Sequence, residues 1–508
     1  MKCQFINRTL LAACASALCL TLTQTGPSAG SAFAQQTQPA AGGAETVKTI
    51  EGAAFEGRVK HYSTLREGIE ATLPKLPKDA TPAQITAHKA AFQDLVRQAR
   101  ADAKQGDIFT PEAARLIRAA IREEFKGRER TELREAVFEA GVEGVAVRVN
   151  HTYPESKELL EMPPTLLLRL PQLTKHVRYR FVGSNLLLVD RENGLILDYM
   201  ADALPPPSGV LARKAEHEKP ETEPAAVPRA AAGTPPAAAS LRLTLPLKAD
   251  SVKFAAIGDT GTGTAQQKEL ADVMINYRRA FPFEFILMMG DNMYGGEKPE
   301  DFRTKFEDVY RTLLDDKVLF YATLGNHDES NQRFYENFNM KGEEYYRLRK
   351  GNVAFYSLNS NYMDKRQLKW IEEQLAKEDA EWKVVYMHHP PYSSGGKHGS
   401  STKLRTIVEP IFLKYGVNVV MAGHEHFYER IKPHKGIHYI ISGAGGKLRP
   451  GDVKDNSPLT EKAYDKDMSF MLFEVAGDQM HFQVITRTGE TVDSGVITNQ
   501  HKKAAATN

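Results

Sequence analysis

Residues 285–294 read FILMMGDNMY, an apolar run of strand length that ends in Gly290-Asp291-Asn292-Met293-Tyr294. A short, uninterrupted apolar run is typical of a strand buried on both faces of a parallel sheet. The glycine lets the chain turn sharply where the strand ends. Ligands of such sheets bind beyond the carboxyl ends of the strands. The stretch therefore predicts a buried strand that brings a carboxylate and a phenol to a binding edge.

Four other apolar runs also end in polar residues, three of them with a glycine. They occupy 252–257, 319–324, 384–387 and 417–421, and they precede Gly258-Asp259, Gly325-Asn326-His327-Asp328, His388-His389 and Gly423-His424-Glu425-His426. Helical stretches are predicted between some of these runs, at 265–280, 300–314, 364–378 and 402–415. This alternation predicts an α/β fold over 243–498, with five polar strand ends at one rim.

A smaller region comes before it. Thr81-Pro82-Ala83-Gln84 and Thr110-Pro111 predict two helix starts, because threonine caps helices and proline fits their first turn. Asn193-Gly194 lies between apolar runs, as in a β-hairpin. These features predict an α+β domain of unknown role over 51–204. A Pro- and Ala-rich linker is predicted over 205–242, because such a composition buries too little apolar surface to offset its ordering entropy.

The beginning of the chain has the features of an export signal. Two basic residues precede an apolar run from Leu10 to about Leu22, and Ala32-Phe33-Ala34 provides a small-x-small cleavage site. We therefore expect a signal peptide at 1–34, a flexible segment at 35–50 and a tail at 499–508. The predicted location is periplasmic or secreted, with no transmembrane segment after cleavage. Two alternatives stay open: a lipoprotein site at Cys14, which has almost no apolar residues before it, and a buried core helix.

Composition narrows the function. The 508 residues carry 66 Lys and Arg against 64 Asp and Glu, so no electrostatic case exists for a nucleic-acid partner. All three cysteines lie within the first 19 residues. A chain cleaved after Ala34 would have no thiol for catalysis, disulfides or metal binding. Its metal ligands would have to be His, Asp, Glu, Asn or Tyr.

The polar strand ends supply such ligands. Carboxylates, imidazoles, an amide and a phenol at one rim suit a pair of metal ions about 3.5–4 Å apart. Two such ions can activate a water and stabilise both the attacking and the leaving oxygen of a phosphoryl transfer. One carboxylate that binds both ions would hold them at this spacing.

The five motifs in this order resemble the signature of the purple acid phosphatases, which belong to the calcineurin-like metallophosphoesterase superfamily. The resemblance covers about residues 250–490 and includes Tyr428-Glu429-Arg430. It implies a β-sandwich flanked by helices. It also implies one metal site of Asp259, Tyr294 and His426, a second of Asn326, His388 and His424, and Asp291 as the bridge. A tyrosinate favours Fe(III), so the resemblance implies Fe(III) beside Fe(II), Zn(II) or Mn(II).

The resemblance also assigns residues to the substrate. His327 is expected to contact phosphate, and His398, in a glycine-rich loop, to contact phosphate or protonate the leaving group. Asp328 is expected to orient His327. His389 is expected to point to the other face of its strand, in a structural role.

The leading hypothesis is an exported phosphatase that hydrolyses phosphorylated small molecules, as monoesters, with a metal-bound hydroxide. The alternatives are a phosphodiesterase or a nucleotide or pyrophosphate hydrolase that uses the same centre. A third hypothesis is that residues 51–204 form a binding or regulatory module that localises the hydrolase or controls access to it.

Overall fold

The structure, a computed structural model, describes residues 50–125, 147–153, 162–204 and 241–499. They belong to one compact unit, Thr46–Asn508. The predicted leader, flexible segment, linker and tail lie outside the described residues, apart from one or two residues at their edges. The lipoprotein site at Cys14 lies outside them as well. In the described part of the chain, every helix is too short or too polar to span a bilayer.

The first region packs helices against one small sheet. Its elements are α1 (Ile50–Glu70), α2 (Pro82–Ala99), α3 (Pro111–Glu124), α4 (Pro164–Arg169), β1 (Val177–Val182), β2 (Asn185–Asp190) and β3 (Ile196–Met200). The three strands pair antiparallel in the order β1-β2-β3. Thr81 and Thr110 cap α2 and α3, which confirms both predicted helix starts.

The second region contains the predicted alternation of strands and helices. Its helices are α5 (Ala265–Ala280), α6 (Pro299–Phe302), α7 (Asp308–Asp315), α8 (Lys365–Ala376) and α9 (Thr402–Lys414). Its first strands are β4 (Val252–Ile257), β5 (Phe285–Met288), β6 (Leu319–Ala322), β7 (Tyr346–Lys350), β8 (Val353–Ser357), β9 (Trp382–Met387) and β10 (Val419–Ala422). The remainder are β11 (Tyr428–Ile431), β12 (His438–Ser442), β13 (Thr460–Tyr464), β14 (Ser469–Ala476), β15 (Gln479–Thr486) and β16 (Thr491–Thr498).

These strands form two sheets. One has six strands in the order β16-β15-β14-β4-β5-β6, and the other has seven in the order β13-β11-β12-β10-β9-β8-β7. Apolar side chains fill the space between them, including Phe254, Phe355 and Phe473. Helices α5 to α7 cover the outer face of the first sheet, and α8 and α9 cover that of the second. The predicted fold class, a β-sandwich flanked by helices after a small α+β region, is confirmed.

Each of the two sheets contains a group of neighbouring parallel strands. Strands β4, β5 and β6 are parallel neighbours, as are β8, β9, β10 and β12. The parallel strands include all five that the apolar runs predicted. Because their carboxyl ends meet at one end of the sandwich, the predicted polar strand ends come together there.

The first region packs directly on the second. Ala80 and Ile85 belong to the apolar core beside α5, and Tyr362 belongs to the core of the first region. Buried ion pairs also join the two regions. Arg178 of β1 donates to Glu344 over 2.7 Å, and Glu192 pairs with Arg333. The predicted domain boundaries stay predictions.

Candidate metal centre

Strained backbone marks the strand ends that carry the predicted ligands. Asp259, Asp291 and His424 have φ values of 57°, 51° and 70°, in the left-handed region that side chains other than glycine rarely adopt. Such conformations cost about 1–3 kcal/mol each and persist where surrounding contacts hold them, often at functional sites. The backbone here is thus held in place for the side chains that it presents.

Two glycines make room for the carboxylates. A Cβ atom on Gly325 would lie 2.1 Å from Oδ1 of Asp291, and one on Gly423 would lie 2.5 Å from Oδ2 of Asp259. Real Cβ atoms do not approach oxygen this closely, so any larger residue would displace the carboxylate. These two glycines are therefore required because a carboxylate approaches their backbone closely, and not only because the chain turns there.

The first predicted ligand set comes together in the structure. The hydroxyl of Tyr294 donates to Oδ1 of Asp259 over 3.2 Å and lies 3.4 Å from Nε2 of His426. Nε2 of His426 lies 3.6 Å from Oδ1 of Asp259. Asp259, Asp291 and His426 are buried, and their ligand atoms lie within 4.8 Å of one another. One oxygen or nitrogen atom of each is therefore within reach of a common ion.

The second predicted set converges beside the first. Oδ1 of Asn326 lies 2.7 Å from Nε2 of His388 and 3.1 Å from Nδ1 of His424. Nδ1 of His388 donates to the carbonyl oxygen of Met289 over 2.9 Å, which leaves Nε2 as the free ligand atom. Metal-binding histidines are commonly oriented by such a bond. Because Oδ1 of Asp291 lies 3.4 Å from Nε2 of His388, Asp291 lies between both sets.

The electrostatics of these groups suit cations. Burial, and then repulsion from Asp291, raises the pKa of Asp259. Burial also disfavours the ionised carboxylate of Asp291. The interactions with His388 and His327 are stronger, so the pKa of Asp291 is lowered. Burial lowers the pKa of both His424 and His426, which favours the neutral imidazole that metals bind. A cation would relieve the repulsion between the carboxylates. The buried oxygen and nitrogen donors therefore fit two metal ions.

The predicted substrate histidines flank these sets. The His327 ring centre lies 4.7 Å from that of Tyr294, and its backbone N–H donates to Oδ1 of Asp291 over 3.0 Å. The ring centre of His398 lies 4.3 Å from that of His424. Desolvation there, followed by the charge of Arg449, lowers the pKa of His398. The structure thus brings both histidines to the edge of the donor cluster.

Asp328 joins two of the strand-end loops. Its carboxylate accepts from the backbone N–H groups of Asn292, Met293 and Gly325 at 3.1, 3.0 and 2.8 Å. Gln332 donates to it as well, over 2.7 Å. These bonds fix the loop after β5 to the loop after β6. The predicted orientation of His327 by Asp328 stays a prediction.

His389 differs from its predicted position. Its ring centre lies 4.5 Å from that of His424, and it joins His388 and His424 in a group whose ligand atoms lie within 4.8 Å of one another. Alternation fails here because β9 ends at Met387, so the two histidines lie beyond the regular strand. Nδ1 of His389 is 2.9 Å from Oγ of Ser360.

Three charged residues near the site were not predicted. Glu425 accepts from Ser393 Oγ over 3.0 Å and from Gly399 N over 2.6 Å, which ties the loop of His398 to the end of β10. Nζ of Lys447 lies 3.9 Å from the ring centre of Tyr294, and Arg449 Nη2 lies 3.2 Å from His426 Nδ1. Glu425 lies inside the last motif and could have been suspected. Lys447 and Arg449 follow the motifs in a loop without a sequence signature.

Comparison with known proteins finds a matching family and several relatives. Residues 252–428 match the family described as calcineurin-like phosphoesterase. The chain is 28% identical over 250 residues to tartrate-resistant acid phosphatase type 5 of Oryctolagus cuniculus, which covers 41% of this chain and 77% of that one. It is 26% identical over 299 residues to purple acid phosphatase 17 of Arabidopsis thaliana, covering 48% and 88%. A solved purple acid phosphatase from yellow lupin seeds is 16% identical, with a TM-score of 0.41, and the match covers 72% of this chain and 69% of that one.

Residues 252–428 therefore form a calcineurin-like phosphoesterase domain, which makes the protein a metal-dependent hydrolase of phosphoric esters with a dinuclear centre. Within that superfamily it is purple acid phosphatase-like, so the resemblance seen in the sequence is confirmed.

Proposed function

We propose that this protein is an exported phosphatase that hydrolyses phosphomonoesters of small molecules, with Fe(III) and one of Fe(II), Zn(II) or Mn(II) as its metal pair. The observation that carries the proposal is the pair of converging donor sets with Asp291 between them and Tyr294 in one of them. The predicted leader at 1–34 supports export to the periplasm or the medium.

The residues divide between the metals as follows. Asp259, Tyr294 and His426 would hold the Fe(III). The divalent ion would be held by the set of Asn326, His388 and His424, with Asp291 shared. When bound, the pair of ions supplies a water activated for attack and positive charge for the phosphate oxygens.

The protein's own groups act on the rest of the substrate. His327 and His398 lie on either side of the donor cluster and can bind phosphate oxygens. Burial keeps His398 neutral in the free enzyme, but an approaching phosphate dianion favours its protonated form. A protonated His398 can then pass that proton to the leaving oxygen. Lys447 and Arg449 add positive charge beside Tyr294 and His426.

The test combines activity with metal analysis of one sample. The purified protein should hydrolyse 4-nitrophenyl phosphate and contain two metal ions per chain. A visible tyrosinate-to-iron absorption band should disappear in Tyr294→Phe. An active, colourless protein without iron would refute the Fe(III) assignment.

The second part of the test concerns the shared carboxylate. Asp291→Asn should abolish turnover and lower the metal content, because one of its oxygens must serve two ions. Wild-type activity in this variant would rule out a shared Asp291. The ratio of kcat/KM for a phosphomonoester to that of its methyl diester separates a phosphomonoesterase from the alternative phosphodiesterase. A ratio below one would favour the diesterase.

A further inference from the structure

A cleft lies between the first region and the loop of His327. The first region contributes Arg178 and Arg180 of β1 and Arg191 after β2, and the opposite side runs from His327 to Asn331. The cleft is partly open to solvent, and its cavity volume is about 80 Å³. His327 also borders the donor cluster, so the cleft and the metal centre are neighbours.

The arginines of this cleft have donors without partners. Arg178 and Arg180 are only 6% and 9% exposed. In each of them Nη1 is buried without a hydrogen-bond partner, and the same is true of Nε in Arg191. A buried guanidinium donor without a partner loses its hydration and gains nothing in return. Three such donors along one cleft point to a ligand that accepts hydrogen bonds.

The charges of the arginines are also incompletely balanced. Glu344 serves two of them: it lies 2.7 Å from Nη2 of Arg178 and 3.6 Å from Nε of Arg191. Arg191 also lies 3.7 Å from Glu192, so it has two carboxylates nearby. Arg180 has no carboxylate within 4.0 Å among the described residues; the centre of the Tyr362 ring lies 6.0 Å from its guanidinium carbon. Burial lowers the pKa of Arg180, and Arg178 adds repulsion. Since a guanidinium stays protonated in proteins, Arg180 holds a buried positive charge that lacks an ion-pair partner.

The acidic residues of the cleft have partners other than Arg180. Asp328 accepts from backbone N–H groups and from Gln332. Asp190 lies 3.1 Å from Nε of Arg66, and Glu192 is bonded to the same guanidinium. Glu329 lies 2.5 Å from Nζ of Lys89. None of the carboxylates of the cleft therefore pairs with Arg180, whose guanidinium can bind an anionic ligand.

We propose that this cleft binds a second phosphate group of the substrate, while the metal centre holds the phosphate that is hydrolysed. The preferred substrates are then small molecules with two phosphate groups. The inference rests on the proposed phosphomonoesterase function and adds its substrate class. A planar guanidinium fork matches two phosphate oxygens, and all three arginines line this cleft. The first region is then part of the substrate site.

The test uses the full-length, metal-loaded protein with substrates that differ only in the second phosphate. These are a series of straight-chain alkanediol bisphosphates and the corresponding alkyl monophosphates. A symmetrical bisphosphate has two hydrolysable groups, so chance alone gives a twofold higher kcat/KM. We expect an advantage of about 10- to 100-fold at the best chain length, the range for charge-assisted hydrogen bonds. An advantage of no more than twofold at every length would overturn the proposal.

Variants separate the cleft from general effects. Arg180→Met should reduce the bisphosphate advantage to about twofold, and Arg180→Lys should retain part of it. Arg118→Met is the control, because Arg118 donates to the carbonyl oxygen of Ala201 over 2.8 Å and does not line the cleft. It should keep the full advantage. An unchanged advantage in Arg180→Met would overturn the proposal.

Two further measurements distinguish ligand binding by Arg180 from a structural role, and failure of the cleft proposal from failure of the proposed function. If Arg180 only supported the fold, Arg180→Met would lower the thermal midpoint, whereas loss of a buried charge without an ion-pair partner should leave it unchanged or raise it. If the wild type hydrolysed neither kind of substrate, the proposed function would fail. Isothermal titration calorimetry of the bisphosphate with the wild type and with Arg180→Met would then test the cleft independently. Equal affinities of the two proteins would overturn the proposal.

Discussion

Glu192 holds the first region on the second, and its removal tests this packing. Its side chain is 14% exposed and binds Arg66 and Arg333. Burial alone would raise the pKa of Glu192, but Arg333 and Arg66 outweigh it and lower the pKa from 4.5 to about 2. Each tenfold change in proton affinity is worth about 1.4 kcal/mol, so the ionised group stabilises the fold by about 3 kcal/mol. Glu192→Gln should lower the free energy of unfolding by this amount at pH 7.

The pH dependence has a definite sign. Because the folded-state pKa lies below the unfolded one, the contribution is complete above pH 4.5 and is lost as the pH falls towards 2. The difference between the wild type and Glu192→Gln should therefore narrow to about 1.5 kcal/mol at pH 3. A difference that grows with falling pH would refute the reasoning.

The assay is urea denaturation followed by two probes. Trp370 and Trp382 are the only tryptophans and both lie in the second region, so fluorescence reports that region alone. Far-ultraviolet circular dichroism reports both regions. The two transitions should coincide in the wild type, and dichroism should change first in Glu192→Gln. The control is Glu112→Gln, whose exposed carboxylate pairs with Arg115 on the surface of α3 and should leave both transitions unchanged. A free energy within 1 kcal/mol of the wild type at pH 7 would also contradict the prediction.

Two further predictions concern the site. Gly325→Ala should lower the metal content measured by elemental analysis and abolish turnover, because its Cβ would displace Asp291; Gly57→Ala, on α1 with nothing within 4 Å, should keep both. A full metal complement in Gly325→Ala would contradict this. His398→Ala should lower kcat about 100-fold for an alkyl phosphate but less for 4-nitrophenyl phosphate, whose leaving group needs no proton. Equal losses on both substrates would exclude proton donation by His398.

The sequence was sufficient to predict the elements that carry the predicted ligands. A short apolar run that ends in polar residues has few alternatives to a buried strand, and β4, β5, β6, β9 and β10 all appear where such runs occur. The antiparallel margins of both sheets were not predicted. Strands β7 and β13 each contain two or more charged residues, bury none of their side chains fully and have no motif at their ends.

The packing of the first region on the second could not be predicted from the sequence, for a physical reason. Val177-Arg178-Tyr179-Arg180-Phe181 alternates apolar and charged residues, a pattern typical of a strand with one solvated face. In the structure every residue of β1 is buried, because the second region covers the charged face. Which surface another region covers depends on contacts between residues far apart in the sequence. Alternation within one strand does not contain that information.

The two donor sets have a mechanical consequence, because each takes residues from both sheets. Asp259 follows β4 of the six-stranded sheet, whereas His426 follows β10 of the seven-stranded sheet. An ion bound by both would act as a cross-link between the sheets, in a chain with no cysteine beyond residue 19. Unlike a disulfide, such a link can be opened by a chelator and closed again by metal. The end of the sandwich that carries the donor sets would thus be more rigid in the metal-bound protein than in the metal-free protein.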